Sequence, residues 1–331
     1  MNKKLIFLIV AVLILFFLPL IYKASFFIHV LILIFMFAMA SQAWDLVGGY
    51  TGQISFGNAI FFGIGAYTST LLYMHWSVTP WIGMLVGGVV AVIVALIVGY
   101  PAFKLKGHYF LLATIGIGEI IRTLFLNWPA VGGAQGIFIP FEKESFWNFQ
   151  FHSSKLPYYY IILTLFILTF LVSYFVEKSK LGFYFKAIRE DEDAAKAMGI
   201  HTQKFKFVAF AISAFLTAIT GTFYAQYLMY IDPNSVMPFM LSTQIVLVAI
   251  LGGMGYLFGP LLGSLVLIPL SELTRVLLGS SGSGFHLVIY GLLIMLISMY
   301  KPAGLAGWIQ EWNFNKKKAA GGEVDGTTIN S

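Results

Sequence analysis

About ten apolar stretches, most of them long enough to cross a lipid bilayer, follow one another along this chain and constrain its fold. They cover residues 5–22, 25–47, 59–76, 81–100, 108–127, 157–176, 206–228, 239–253, 258–278 and 284–300. With 59% hydrophobic and 10% charged residues, the chain carries more apolar surface than a water-soluble core could bury. The sequence therefore predicts an all-α integral membrane protein with about ten transmembrane helices in a lipid bilayer.

The basic residues are distributed unevenly between the two ends of these stretches. If the N-terminus lies inside, fifteen Lys and Arg residues fall on the inner side and three on the outer side. The positive-inside rule then predicts that both termini are cytoplasmic, and the net charge of +6 reflects orientation rather than nucleic-acid binding. Residues 1–312 are predicted to form one transmembrane domain. Residues 313–331, polar and glycine-rich, are predicted to be a disordered cytoplasmic tail.

A sparse internal repeat relates the two halves of the chain at an offset of 153 residues. It aligns Pro80 with Pro233, Gly99 with Gly252, Glu119 with Glu272, and Arg122 with Arg275. The matches keep the same order and direction, which predicts a parallel duplication of the kind found in transporters.

Charged residues inside two of the apolar stretches need an explanation. A charge at the bilayer centre costs about 2.5 kcal/mol or more, so each one must serve a purpose. Spacing of three places Glu119 beside Arg122 on one helix face, and Glu272 beside Arg275. Two interpretations remain open. Each is a self-neutralising pair near the outer interface, or the pairs line a polar path or bond the opposite half; on the second, Glu119 and Arg122 are the predicted path residues.

The stretch "GGYTGQISFGNAIFFGIGAY", residues 48–67, contains six glycines between two apolar runs. Such a sequence predicts backbone that leaves the helix over 48–58, as a re-entrant turn or a broken helix. We predict that Gly52 and Gly57 are hinges. Ser55, Ala59 and Gly63, spaced four residues apart, are predicted to form a packing face. The side-chain amides of Gln53 and Asn58 are predicted to lie near the translocation path. A purely architectural role for the stretch is the alternative.

The longest hydrophilic stretch, residues 177–206, lies on the predicted inner face. Its four consecutive acids, 190–193, precede "AAKAMG", which predicts a short helix that ends at Gly199. Consecutive carboxylates point around a helix rather than toward one point, so a metal site is disfavoured. The six histidines are scattered, and the sequence contains no constellation typical of catalysis. A compact helix of mixed charge suits docking on a soluble partner.

Within this segment, "DAAKAMG" (193–199) resembles the EAA-x-x-x-G coupling motif of ABC importer permeases, with Asp in place of the first Glu. Together with the glycine-rich stretch, "GGAQGI" (132–137) and "YKPAGLAG" (300–307), it closely resembles the LivM-type permeases of branched-chain amino-acid ABC importers. The resemblance covers roughly residues 30 to 307 and includes these motifs in the same order.

This resemblance implies a transport subunit of a prokaryotic cytoplasmic membrane rather than an enzyme. It implies a heterodimer with a second related permease, two ATPase subunits on the inner face, and an extracytoplasmic substrate-binding protein. The ATPase-coupling residues that it implies are Arg189, Glu190, Asp193, Ala194, Ala195 and Gly199. Because the chain lacks a G-x-x-x-x-G-K-[ST] phosphate loop, ATP and Mg²⁺ are expected on the ATPase subunits, and no cofactor on this chain.

Three other functions are considered. A related importer for urea or short amides would share the architecture, and an ion-coupled secondary transporter would work without an ATPase. A membrane enzyme would need a joint site, for example from His108, Glu119 and Arg122. His108 precedes Glu119 by eleven residues, about three helical turns, which is too far for joint chemistry.

Overall fold

A computed structural model describes residues 19, 24–278, 291–292, 295 and 304–319 of the chain. The helices are α1 (Ser25–Gly48), α2 (Asn58–Trp76), α3 (Pro80–Ala102), α4 (His108–Leu126), α5 (Leu156–Lys178), α6 (Lys180–Glu190), α7 (Glu192–Ala197), α8 (Thr202–Leu228), α9 (Pro233–Val236), α10 (Phe239–Gly252), α11 (Gly259–Leu278) and α12 (Gly304–Ala319). Short 3-10 turns at Pro129–Val131 and Gly133–Gln135 precede two strands, β1 (Ile137–Phe138) and β2 (Tyr230–Ile231).

Six helical segments among the described residues are long and apolar enough to cross a membrane. They are α1, α3, α4, α5, α8, and α9 together with α10. This confirms a largely helical membrane protein. The predicted stretches 59–76 and 258–278 are helical too, as α2 and α11, although they are not among these six. The first and last predicted spans, 5–22 and 284–300, fall almost entirely outside the described residues, so the count of ten stays a prediction.

Helix α1 is the centre of the bundle. It is buried from Phe35 to its end, and it contacts α5, α8, α10 and α11. A second packing unit forms where α2, α3 and α8 lie against one another. The mostly apolar sequence of α1 fits a helix that is surrounded by other helices.

The closest helix crossing in the second unit depends on two glycines. A Cβ added to Gly65 of α2 would collide with the carbonyl group of Ala218, and one added to Gly221 of α8 with that of Phe62. The Thr222 hydroxyl donates a hydrogen bond to the Gly65 carbonyl at 3.0 Å. Small residues allow backbones to approach in this way, and polar hydroxyls bond across the crossing. This pair was not predicted from the sequence.

Helix α4 packs far less closely than its neighbours. Of its residues, all of which the structure describes, Phe110 and Thr114 are the buried ones. Its contacts with α2, α3, α9 and α10 are few. Most of this helix is therefore left for lipid or another protein to cover.

The segment between α4 and α5 is tied to the end of α8. Strand β1 pairs antiparallel with β2, with Ile137 opposite Ile231. The Ile139 amide donates a further hydrogen bond to the Met229 carbonyl at 2.9 Å. The "GGAQGI" motif (132–137) leads directly into this pairing.

The predicted 153-residue repeat would give α3 and the α9–α10 pair equivalent positions. Both are helical, but α3 packs along α2 and α8 whereas α10 packs along α11 and α1. The repeat therefore stays a prediction.

At the C-terminal end, α12 continues past the predicted boundary at residue 312. Residues 313–319 of the predicted disordered tail are thus helical, and 320–331 lie outside the described residues. Charged residues do not prevent a helix from continuing once it has begun.

Replacing Gly221 by Leu should lower the thermal stability of the purified chain in mild detergent. Overpacking at a closed crossing costs about 1–3 kcal/mol, because a new side chain would displace backbone. The matched control is Gly116→Leu on α4, where an added Cβ meets no atom within 4 Å. Equal melting temperatures for the two variants would contradict the close crossing.

Candidate coupling site and translocation path

The 177–206 segment forms two short helices that share a junction. Helix α6 ends at Glu190, and Asp191 both ends α6 and caps α7. The Asp191 carboxylate accepts hydrogen bonds from the amides of Asp193 and Ala194, at 2.9 and 3.0 Å. One member of the acidic run is therefore an N-cap, a standard role for Asp.

Helix α7 is fixed to the N-terminal end of α8 by an ion pair. Glu192 accepts a hydrogen bond from the Nζ of Lys206 at 2.6 Å, and Lys206 is 2% exposed. Burial raises the pKa of the Glu192 carboxyl, but its bonds to Lys206 and Lys196 outweigh burial and leave that pKa below its ordinary value. Ala195, on the same helix α7, is completely buried. The position of α7 is thus set by the transmembrane bundle.

The opposite side of α7 is exposed. We call Ala194, Met198 and Gly199 the α7 face; all three are exposed, and Ala194 and Met198 are one turn apart. Gly199 ends the helix at φ +84°, and an added Cβ there would meet nothing within 4 Å. Asp193 beside this face bonds Lys106 at 3.1 Å, which holds the pKa of its carboxyl below the usual value.

Two large apolar side chains in this hydrophilic segment were not identified from the sequence. Met198 and Phe183 are each 71% exposed. The sequence could have indicated them, because a large apolar residue in a predicted cytoplasmic segment either packs against the protein or forms part of a binding surface. The predicted coupling residues Arg189 and Glu190 are exposed as well, and the Arg189 guanidinium donates a hydrogen bond to the Gly49 carbonyl just after α1.

The helix is broken between α1 and α2, as the glycine content predicts. Residues 49–57, which we call the first break, are non-helical, and Gly52 adopts φ +72°. The Trp44 indole donates a hydrogen bond to the Ser55 carbonyl at 2.7 Å, and the backbone amide of Gln53 donates one to the Val47 carbonyl at 3.1 Å. Gly57 has φ −91°, so its conformation suits any residue.

The amide Asn58 begins α2 and is buried against α8. Its Nδ2 lies 3.5 Å from both Ser213 Oγ and Thr217 Oγ1, and its Oδ1 has no partner among the described residues. The backbone amide of Ala59 donates to Ser242 Oγ at 2.9 Å. A polar site therefore lies where α2, α8 and α10 meet.

The small residues predicted to form one packing face contact different neighbours. Ser55 Oγ accepts the Gly57 amide at 3.1 Å within the break, whereas Gly63 lies against the Met237 side chain. Small residues here accommodate the α9–α10 region, whereas the close approach of α2 to α8 occurs at Phe62 and Gly65. The face thus contributes to packing, in a direction that spacing alone could not specify.

The charged residues Glu119 and Arg122 form a pair on the uncovered helix α4. Arg122 Nε donates to Glu119 at 3.0 Å, and its Nη1 reaches Asn234 Oδ1 at 2.5 Å. The Glu119 side chain is 51% exposed. It also lines a crevice with Ala59 and Ser242, so the structure brings Glu119 close to the start of α2, whereas Gln53 does not line that crevice.

The equivalent pair near the end of α11 is arranged differently. Arg275 lies 3.4 Å from Glu272, whose side chain is 7% exposed, while Arg275 itself is 71% exposed. Among the residues that the structure describes, no group of three His, Asp or Glu side chains could hold a metal ion.

Comparison with known proteins adds to this geometry. Residues 26–298 match the family described as branched-chain amino acid transport system / permease component. The high-affinity branched-chain amino acid transport system permease protein LivM of Escherichia coli is 29% identical over 84% of this chain and 69% of its own length. LivM of Salmonella typhimurium is 29% identical over 79% of this chain and 65% of its own. The chain thus spans about two thirds of these relatives.

The permease protein LivH of Escherichia coli is 24% identical over 82% of this chain and 91% of its own length. No solved structure matches the chain. The family match covers most of the sequence, and the apolar helices agree with a multi-pass protein of the prokaryotic inner membrane. A transport subunit rather than an enzyme is what this family comprises. The chain belongs to the branched-chain amino acid transport system permease component family.

Proposed function

We propose that this chain is one permease subunit of an ABC importer for branched-chain and other hydrophobic amino acids. The observation that carries the proposal is the α7 face, an exposed surface of small residues and Met198 on a helix fixed to α8 by Lys206 and Glu192. A surface that is rigidly attached yet uncovered suits a soluble partner that must push on the bundle. The relatives named above are permeases of branched-chain amino acid transport systems. None of their names favours the urea or ion-coupled alternative.

The partners follow from the same proposal. Because both LivM and LivH proteins are relatives of this chain, a related second permease is the expected partner. Two ATPases dock on the inner face of the permease pair, one of them at the α7 face, and carry ATP and Mg²⁺, while a binding protein delivers substrate from outside. This chain binds no cofactor of its own. Coupling to the ATPases involves Glu190, Asp193, Ala194 and Gly199, with Ala195 holding α7 against the bundle.

Helix α4 supplies the proposed contact with the path. An ion pair on the uncovered face of a membrane helix is poorly suited to lipid, because a charge in hydrocarbon is costly. We infer that Glu119 and Arg122 face water or the second permease. Asn58, close to the same crevice, and Gln53, in the first break, are the further path residues. Ten spans, cytoplasmic termini and the domain of residues 1–312 complete the proposed topology.

Purification of the chain from native membranes should recover a second apolar permease and two P-loop ATPases. In liposomes that contain the binding protein, the complex should hydrolyse ATP faster when leucine is added. Mass spectrometry of the co-purified proteins and a phosphate-release assay provide the measurements. A chain that purifies alone and carries solute down an ion gradient would contradict the proposal.

The Ala194→Arg substitution should reduce ATPase recovery at least tenfold, because a large cation would occupy the α7 face. The fold should persist, since Ala194 is exposed. Ala130→Arg, an equally exposed position between α4 and α5, is the matched control. Quantitative co-purification measures the effect, and full ATPase recovery with Ala194→Arg would remove this face from the docking site.

The Glu119→Gln substitution should reduce leucine uptake about tenfold, while ATPase recovery and thermal stability stay close to wild type. The carboxylate is half exposed, so little of the fold depends on it. Arg122 remains tied to Asn234 in this variant. Uptake of radiolabelled leucine by proteoliposomes is the measurement, and unchanged uptake would assign the pair a structural role.

A further inference from the structure

Two interruptions of the helical bundle lie against each other at its inner end. The first break, residues 49–57, follows α1; the second break, residues 253–258, separates α10 from α11. Asp45, fully buried in the last turn of α1, accepts hydrogen bonds from the Gly255 amide at 2.9 and 3.1 Å, one to each carboxylate oxygen. This carboxylate joins the beginning of the first break to the second break across 210 residues of sequence.

Arg189 of α6 contacts both breaks. Its Nη1 donates a hydrogen bond to the Gly49 carbonyl at 2.7 Å. Its Cα and Cγ lie 3.5 and 3.3 Å from where a Cβ of Gly52 would be, and a Cβ on Gly255 would collide with the Nη1. Gly52 and Gly255 adopt φ +72° and +78°, values that a side chain disfavours. The arginine therefore occupies space that these two glycines leave open.

The position of Arg189 in the sequence connects it to the docking helix. It lies two residues before Asp191, which ends α6 and caps α7 without an intervening loop. With so few free dihedral angles between them, a displacement of α7 must be accompanied by a displacement of Arg189. Rigid elements that carry a contact from one site to another are the physical basis of coupling.

We propose that Arg189 is a positioning residue that transmits movement of α7 to the two breaks, and that it does not itself contact the ATPase. This inference rests on the proposed function. In the arrangement seen here, the guanidinium holds the Gly49 carbonyl beside the turn that Asp45 anchors. When the ATPases displace α7, this hydrogen bond breaks, and the first break, with the start of α2 and Asn58, moves relative to α10 and α11. Glycine at positive φ lets both segments change conformation at small cost.

The test uses the complete importer in proteoliposomes, with Arg189→Ala, Arg189→Lys and a matched control. The control is Lys186→Ala, which also removes a cation from α6; Lys186 pairs at the surface with Glu177 at 3.4 Å. Three quantities are measured for each: ATPase recovered on purification, ATP hydrolysis, and leucine molecules taken up per ATP hydrolysed. We expect Arg189→Ala to keep its ATPases and hydrolyse ATP, with uptake per ATP reduced about tenfold, and Lys186→Ala to match wild type.

The conservative variant separates a coupling role from a structural one. A lysine keeps the charge and one donor but lacks the planar fork, so Arg189→Lys should restore part of the uptake per ATP. If the Arg189→Ala chain does not fold, so that no permease is recovered, Arg189→Lys alone carries the test through the same ratio. A purely structural role would lower the amount of complex without changing uptake per ATP, and that result would overturn the inference.

A direct measurement of the breaks completes the test. Because the chain contains no cysteine, Gln53→Cys and Tyr256→Cys introduce unique positions for a pair of spin labels. In wild type, the interspin distance should change when a non-hydrolysable ATP analogue binds, and in the Arg189→Ala background it should not.

Several results would overturn the inference. If a folded Arg189→Ala chain loses the ATPases, Arg189 is a docking contact. If uptake per ATP is unchanged, or if the label distance still responds to nucleotide, Arg189 does not transmit the movement. Each of these results leaves the proposed function intact. Wild-type protein that recovers no ATPase would overturn the proposed function and this inference with it.

Discussion

The buried carboxylate of Asp45 is the interaction on which the contact between the two breaks depends. A helix broken inside a membrane protein leaves backbone groups without water to bond, and each must find a partner within the protein. The Asp45 side chain supplies that partner for Gly255, while Arg189 satisfies the carbonyl of Gly49. An acid and a base on separate helices thereby keep two glycine breaks in register. The Asp45 side chain is fully buried, so the Gly255 amide also satisfies a carboxylate that would be costly to leave without a partner.

The structure leaves two surfaces uncovered. At the N-terminal end of α8, Lys206 and Glu192 fix α7 to that helix and leave Ala194 and Met198 uncovered. Within the bundle, α4 remains poorly packed and carries the Glu119 and Arg122 pair on an open face. A surface left uncovered by a well-packed protein indicates a place for a partner. The first suits a soluble ATPase, and the second suits a second membrane subunit or water.

Local sequence signals predicted the candidate site well where local chemistry decides it. The glycines of residues 48–58 predicted the break, and the acid run before "AAKAMG" predicted the short helix that the structure contains. The partners of these elements could not be predicted in the same way. The resemblance implied an ATPase-coupling role for Arg189, and it gave no sign that the guanidinium bonds Gly49, 140 residues earlier. Asp45 was missed because a single acid in an apolar helix does not reveal its partner.

Hydropathy by itself determined that this chain is a helical membrane protein, its motifs indicated a transport permease family, and the acid run before "AAKAMG" predicted a short helix. These properties are local, because bilayer thickness and helix geometry act on each segment separately. Only the tertiary structure decided that α2 and α8 cross closely at Gly65 and Gly221, that α4 stays uncovered, and that Asp45 and Arg189 contact the two breaks. Apolar side chains in a lipid environment do not specify which helices pack together, so small residues and buried polar bonds between distant segments make that choice.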